Sequence, residues 1–127
     1  MNERRVMIID DEPGFTRLLK LTLENTGRFK VLEENIGTRA WMTAREFNPE
    51  IIFIDVVMPE IDGGDVAQQI RSDPLLSHIP IVFLTAIVSA KEGGHEIGGF
   101  PFLAKPVSLE AIMQSIEHEC GTAEASP

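Results

Sequence analysis

The sequence has little cysteine, few basic residues and no long apolar run. Its 127 residues include one cysteine, Cys120, which excludes an internal disulfide and a zinc site built from several cysteines. Eleven lysines and arginines stand against twenty acidic residues, and the resulting charge of −9 argues against nucleic acids and anionic membranes as binding partners. The longest mostly apolar run, Ile79–Val88, falls well short of the ~18 residues of a membrane helix.

The remaining composition is that of an ordinary globular protein. Apolar residues make up 43% of the chain and charged residues 24%, and a chain of this length buries a core without disulfides or metals. We expect residues 1–121 to form one cytoplasmic domain and residues 122–127 to be a disordered tail. The sequence leaves open whether this module acts alone or belongs to a longer protein.

Short buried strands alternate with amphipathic helices along the chain. Apolar runs that end at polar residues are typical of strands buried on both faces of a parallel sheet. The runs are Arg5–Ile9, Phe29–Glu33, Ile51–Ile54, Ile81–Leu84 and Phe100–Leu103. Short connections and right-handed crossovers between them predict a three-layer, doubly wound α/β fold with five parallel strands.

Helix patterns fill the segments between these runs. The first helix is predicted to bury a stripe that contains Phe15 and Leu18. Thr38 and Ser108 are predicted to cap the second and the last helix. The fourth helix, Ser89–Ile97, is expected to be short or irregular because each of its two glycines costs about 1 kcal/mol relative to alanine.

Polar residues follow four of the five predicted strands. Asp10 and Asp11 come after the first strand, Asp55 after the third, Thr85 after the fourth and Lys105 after the fifth. Ligands of an open parallel α/β sheet bind beyond the carboxyl ends of its strands, so these side chains are expected to face one crevice. Carboxylates about 4 Å apart repel by about 4 kcal/mol, so three of them in one crevice need a cation or must be protonated. Oxygen ligands favour Mg²⁺. With Lys105 and Thr85 beside the metal, such a crevice is suited to phosphoryl transfer onto Asp55.

These strand-end residues resemble the motifs of a known family, the receiver domain of two-component response regulators. The matching motifs are Asp10-Asp11, Asp55 with Met58-Pro59, Thr85-Ala86 and Lys105-Pro106. They follow one another in the family's order, and the resemblance covers about residues 4–120. It implies a flavodoxin-like fold with strand order 2-1-3-4-5. It also implies a phosphoacceptor function in a two-component phosphorelay.

The resemblance further implies a role for each site residue. Asp55 is expected to be the phosphoacceptor, and Asp10, Asp11 and the backbone carbonyl of Val57 are expected to bind Mg²⁺ together with Asp55. The protein is expected to catalyse only its own phosphorylation and dephosphorylation. It is therefore not expected to be a metabolic enzyme.

Three more residues and the partners follow from the same resemblance. Thr85 and Lys105 are expected to contact the phosphoryl group, and Phe102 is expected to be the aromatic switch that turns inward when Thr85 moves. The donor is expected to be a phosphohistidine on a sensor histidine kinase or a phosphotransfer protein. The downstream effector is unknown, and we expect a monomer or a weak dimer that binds neither nucleic acid nor membrane by itself.

Two departures from the common receiver pattern lead to predictions. Val57 and Ile87 place apolar side chains two residues beyond Asp55 and Thr85, where polar groups would orient a hydrolytic water, so we expect a long-lived phosphoryl-aspartate. The stretch from Thr85 to Lys105 is shorter than in a common receiver and rich in glycine, which argues against the usual dimer through the fourth helix. As a hypothesis, phosphorylation orders this segment.

Three alternative functions have weaker support in the sequence. A phosphatase of the haloacid dehalogenase type also uses a strand-end aspartate, but it typically carries a second aspartate where this chain has Val57. A flavodoxin-like cofactor binder needs a glycine- and hydroxyl-rich loop after the first strand, where Asp10 and Asp11 would repel a phosphate in the absence of metal. A degenerate receiver used only for binding does not need the complete set of aspartate, threonine and lysine.

Overall fold

The computed structural model describes residues 3–86 and 96–121, which form six strands and four α-helices. The strands are β1 (Arg4–Ile9), β2 (Phe29–Glu34), β3 (Ile51–Asp55), β4 (Ile81–Thr85), β5 (Glu96–Ile97) and β6 (Phe100–Ala104). The helices are α1 (Pro13–Glu24), α2 (Ala40–Phe47), α3 (Gly63–Arg71) and α4 (Leu109–Cys120). A 3₁₀ turn, Gly37–Arg39, directly precedes α2. The predicted tail, residues 122–127, lies outside the described residues.

The strands form one sheet in the order β2-β1-β3-β4-β6-β5. The pairs β1–β2, β1–β3, β3–β4 and β4–β6 are all parallel. Since β6 is the predicted fifth strand, the five predicted strands lie in the expected order 2-1-3-4-5. The flavodoxin-like α/β fold is therefore confirmed, and the carboxyl ends of β1, β3, β4 and β6 share one edge of the sheet.

Apolar side chains on both faces of the sheet hold the helices in place. Every residue of β3 and of β4 is buried, because neighbouring side chains along each strand point to opposite faces and both faces are covered. One face packs on α2 and α3. The other face packs on α1 and α4 through a group that we call the α1–α4 core; it includes Val6, Ile8, Leu19, Leu23, Phe29, Phe53, Ile112 and Ile116, with Phe15 partly buried against it. This arrangement confirms three layers.

At the β6 edge, the sheet differs from the purely parallel sheet that the sequence predicts. Glu96–Ile97 forms strand β5, which pairs antiparallel with Phe100 and Pro101 of β6. Gly98 and Gly99 have φ angles of 59° and 87°, and two consecutive residues with positive φ make the tight turn that joins hairpin strands. The predicted fourth helix is therefore wrong at Glu96 and Ile97. Its residues 89–95 lie outside the described residues, as does Ile87.

The predicted helix ends are partly correct. Ser108 caps α4 by accepting a hydrogen bond from the Ala111 N–H, as expected. Thr38 does not cap α2, because it lies inside the 3₁₀ turn and Arg39 occupies the cap position without a side-chain hydrogen bond. Leu18 was predicted to be buried but is 66% exposed, since Thr16 and Leu19 of α1 face the sheet instead. None of the helices in the described part of the chain is long and apolar enough to cross a membrane.

Candidate functional site

The carboxyl edge of the sheet brings the predicted site residues together. Asp10 follows β1, Asp55 is the last residue of β3, Thr85 is the last of β4, and Lys105 follows β6. The backbone N–H of Lys105 donates a 2.8 Å hydrogen bond to the Thr85 carbonyl, which extends the β4–β6 pairing to the site. The crevice therefore forms because four parallel strands end at the same level.

Three carboxylates form a tight cluster in this crevice. Asp10, Asp11 and Asp55 each offer an oxygen atom, and these atoms lie within 4.8 Å of one another. Asp10 is fully buried and Asp55 is 8% exposed, so water screens their repulsion poorly. Oxygen donors at this spacing match the preference of a hard divalent cation such as Mg²⁺.

The electrostatics of Asp55 reflect this crowding. Burial and the charge of Asp10 raise the pKa of Asp55 from 3.8 to about 6, with a smaller contribution from Asp11. The Lys105 ammonium and the backbone N–H of Val57, which donates a hydrogen bond to the carboxylate, act in the opposite direction. Without a cation the carboxyl group is thus partly protonated in mildly acidic solution, and a cation in the crevice would favour the ionised form.

Lys105 supplies the positive charge of the crevice. Its ammonium lies 2.6 Å from Asp10 Oδ2, 3.8 Å from Asp55 Oδ1 and 3.8 Å from Glu12 Oε1. Burial alone would lower the pKa of Lys105, but the hydrogen bond and charge of Asp10, with the charges of Asp55 and Glu12, raise it above its ordinary value. The same ammonium lies 4.3 Å from the centre of the Phe15 ring.

Hydrogen bonds to neighbouring residues fix the conformation of Asp10. Its Oδ1 accepts a 3.0 Å hydrogen bond from the Glu12 N–H. The Asn35 amide donates to the backbone carbonyl of Asp10 at 2.8 Å and to the Thr16 hydroxyl at 2.9 Å. Glu12, Asn35 and Phe15 are not among the site residues that the sequence predicts. Asn35 directly follows β2, but the predicted second strand ends at Glu33, so the strand-end argument leads to Glu34 rather than to Asn35.

Thr85, Phe102 and Val57 lie near the crevice in different environments. Thr85 is 2% exposed, and Phe102 is partly buried and lies opposite Phe83 in the β4–β6 register. Val57 is 60% exposed. Its backbone N–H donates a hydrogen bond to the Asp55 carboxylate, and its carbonyl belongs to the same residue. The predicted contacts of these three residues with metal and phosphoryl group remain predictions.

The start of α3 packs directly against the backbone of Asp55. The Gly63 N–H donates a 2.8 Å hydrogen bond to the Val56 carbonyl. A β-carbon on Gly63 would overlap the Asp55 carbonyl oxygen and lie 2.9 Å from Val56 Cα. Only glycine permits this approach, which ties helix α3 to the strand end that carries Asp55.

A sequence model described as the response regulator receiver domain matches residues 6–117, most of the chain. The chain belongs to this family. The predicted function, a phosphoacceptor receiver module of two-component signal transduction, is therefore confirmed at the level of the family. Receiver domains are signalling modules rather than metabolic enzymes.

Individual relatives agree with the family match. Response regulator Rre1 of Synechocystis is 34% identical over 116 residues, which are 87% of this chain and 50% of Rre1. The polar-differentiation response regulator DivK of Brucella ovis is 28% identical over 126 residues, which are 94% of this chain and 98% of DivK. The receiver domain described here spans about half the length of the first curated relatives it matches.

Solved structures show the same fold. The crystal structure of a response regulator from Desulfuromonas acetoxidans superposes with a TM-score of 0.78 at 25% identity, covering 91% of this chain and 94% of the other. The superposition thus agrees with the receiver fold that the strand order β2-β1-β3-β4-β6 indicates.

Proposed function

We propose that Asp55 accepts a phosphoryl group from a phosphohistidine of a sensor histidine kinase or a phosphotransfer protein. The observation that carries this proposal is the position of Asp55 in a buried crevice with two further carboxylates within 4.8 Å and the Lys105 ammonium at 3.8 Å. A carboxylate oxygen of Asp55 attacks phosphorus, the bond between phosphorus and the imidazole nitrogen breaks, and the imidazole leaves with that electron pair. We assign this module to residues 1–121 and to the cytoplasm.

Each neighbouring residue has a distinct role in this proposal. Asp10, Asp11, Asp55 and the carbonyl of Val57 would hold Mg²⁺, and the bound ion would offset charge on the phosphoryl oxygens. Lys105 donates hydrogen bonds to the same phosphoryl group and keeps a positive charge beside it. The crevice thereby catalyses phosphorylation and later hydrolysis of its own aspartate, with no other substrate turned over.

Signalling output in this proposal passes through the β4–β6 side of the sheet. The Thr85 hydroxyl moves toward the phosphoryl group and Phe102 turns into the space that Thr85 leaves. The altered surface is then recognised by a downstream effector or by further domains of a longer protein. The charge of −9 supports an output that does not require this module itself to contact DNA.

Incubation with MgCl₂ and acetyl phosphate, followed by intact mass measurement, tests the proposal. We expect one phosphoryl adduct on the wild-type chain and none on Asp55→Asn or in excess EDTA. Thr85→Ala serves as a matched variant, since it should retain the adduct while losing the conformational response. Steady release of phosphate without an adduct would instead favour a phosphatase, and an adduct that survives in Asp55→Asn would exclude Asp55 as the acceptor.

A further inference from the structure

The Lys105 ammonium lies over the face of an aromatic ring as well as beside the carboxylates. Its ammonium lies 4.3 Å from the centroid of Phe15, well inside the ~6 Å limit of a cation–π contact. The Lys105 side chain is 14% exposed, so water weakens this contact little. Phe15 itself is partly buried, and its position is fixed by packing against the α1–α4 core.

The other partners of this ammonium differ from the ring in an important way. Asp10 and Asp55 lie 2.6 and 3.8 Å from it, but under the proposed function both carboxylates also bind the metal. Glu12 lies 3.8 Å away, but its side chain is 70% exposed and its charge is therefore screened by solvent. The Phe15 ring is thus a partly buried partner that the metal would not take from the ammonium.

We propose that Phe15 is a positioning residue that keeps the Lys105 ammonium inside the crevice when Mg²⁺ engages Asp10. The ring attracts the ammonium whether or not Asp10 and Asp55 are bound to the metal, so Lys105 stays within reach of a phosphoryl group on Asp55. This inference rests on the proposed function of Asp55. Its central claim, retention of the lysine in the presence of Mg²⁺, is nevertheless measurable without phosphorylation.

NMR spectroscopy tests the contact directly. A methylene next to an ammonium that sits over a ring is shifted upfield by the ring current, so the Lys105 Hε protons should resonate upfield of ordinary lysines. We expect this shift in EDTA and, decisively, at saturating MgCl₂, and we expect Phe15→Leu to abolish it in both. A Lys105 resonance that returns to the ordinary position on addition of MgCl₂ to the wild type would overturn the inference.

Phosphorylation kinetics test the consequence. Replacement of Phe15 by fluorinated phenylalanines keeps the shape of the ring while weakening its attraction for cations. We expect the rate constant for phosphorylation by acetyl phosphate to fall progressively with fluorination, and to fall about three- to tenfold in Phe15→Leu. Phe15→Tyr should restore most of the wild-type rate because the aromatic face is retained.

Phe29→Leu is the matched control for packing. Phe29 belongs to the same α1–α4 core but pairs with Arg4 at the opposite end of β1, far from the crevice. We expect Phe29→Leu to leave the phosphorylation rate unchanged. An equal loss of rate in Phe29→Leu, or a rate indifferent to fluorination, would assign Phe15 to the core alone. If the wild type accepts no phosphoryl group, the proposed function fails, and the NMR shift in MgCl₂ still decides the role of Phe15.

Discussion

Burial of Asp55 disfavours the ionised form of its carboxyl group. Its pKa is raised to about 6 by burial and by the charge of Asp10, so the ionised carboxylate destabilises the metal-free fold. Because the folded-state pKa lies above the ordinary value of 3.8, this loss of stability develops as the pH rises from about 4 to about 6 and is complete above that range. In the proposed function Asp55 must be ionised to attack phosphorus, so the nucleophilic form of this residue is also the form that lowers the stability of the metal-free fold.

Asp55→Asn should therefore stabilise the metal-free protein near neutral pH. A shift of this size corresponds to about 1–3 kcal/mol of unfolding free energy at pH 7 and to almost none near pH 4. Urea unfolding in EDTA at the two pH values measures the difference. Glu46→Gln removes one exposed charge from α2 and should change little at either pH. A less stable Asp55→Asn at pH 7 would contradict this account.

Val57 places an exposed apolar side chain two residues beyond Asp55, the proposed phosphoacceptor. It is 60% exposed and offers no group that could orient a hydrolytic water. We expect Val57→Asn to shorten the lifetime of the phosphoryl-aspartate by about two- to tenfold, the effect of one ordinary hydrogen bond. Decay of the adduct after removal of acetyl phosphate measures this lifetime. Val57→Leu, which stays apolar, should decay like the wild type, and slower decay in Val57→Asn would count against the prediction.

The strand-end residues were predictable from sequence, whereas Phe15 was not. A strand that is apolar along its length and ends at an acid identifies its own carboxyl end, so Asp10 and Asp55 could be placed at one edge of the sheet. Phe15 occupies a position in the apolar stripe of α1, and core packing alone explains its identity. Its contact with Lys105 spans 90 residues and depends on the side-chain conformation of the lysine.

At the scale of elements, the contact between α3 and β3 links a helix to the strand that ends at Asp55. Gly63 lies against the backbone of Asp55 and Val56, and its N–H is bonded to the Val56 carbonyl. The side chain of Asp62 caps the same helix by accepting from the Asp65 N–H. The first turn of α3 is therefore in direct contact with the backbone of Asp55 and Val56.

Gly63→Ala should destabilise the protein by about 1–3 kcal/mol, because the added β-carbon pushes α3 away from the Asp55 carbonyl. Gly64→Ala is the matched control. Its β-carbon would lie 3.2 Å from Asp62 Oδ1, the atom that accepts the capping hydrogen bond from the Asp65 N–H, so this side chain needs to shift by only a few tenths of an ångström. Alanine is favoured over glycine in a helix by about 1 kcal/mol, which offsets the cost of that shift. We expect Gly64→Ala to be neutral or stabilising in urea unfolding. A neutral Gly63→Ala would show that α3 is free to shift.

Glycine has two opposite uses in a sequence pattern, and this explains the error at β5. In a helical pattern, glycines directly after Ile97 mark the end of a helix. In the structure Gly98 and Gly99 both have positive φ and form a hairpin turn, which a helical pattern does not predict. Thr38 shows a similar limit. A residue type that often caps helices does not cap α2 here, because Thr38 lies inside the 3₁₀ turn that precedes the helix.

At the scale of the whole molecule, the acidic residues behind the net charge of −9 are not evenly distributed. Three of the acids converge with Lys105 in one crevice, so repulsion within the folded state is concentrated at the place where a divalent cation would bind. Binding of a divalent cation there would couple the stability of the entire domain to the ion.

We expect MgCl₂ to raise the melting temperature of the wild type, with a stabilisation of about 1.4 kcal/mol when the ion is at ten times its dissociation constant. Asp11→Asn should lose most of this effect. Thermal unfolding over a MgCl₂ titration measures it, with NaCl at matched ionic strength as the control for simple screening. An equal response to both salts would mean that the carboxylates bind no specific ion.

The β5–β6 hairpin also bears on how the protein avoids aggregation. An open strand at the edge of a sheet presents unpaired backbone groups that invite pairing with another molecule. Here the two residues of β5 pair with Phe100 and Pro101 and so occupy the open side of the first part of β6. Glu96 adds an exposed negative charge at the same edge. The short hairpin thus protects an apolar strand from edge-to-edge association between copies of the protein.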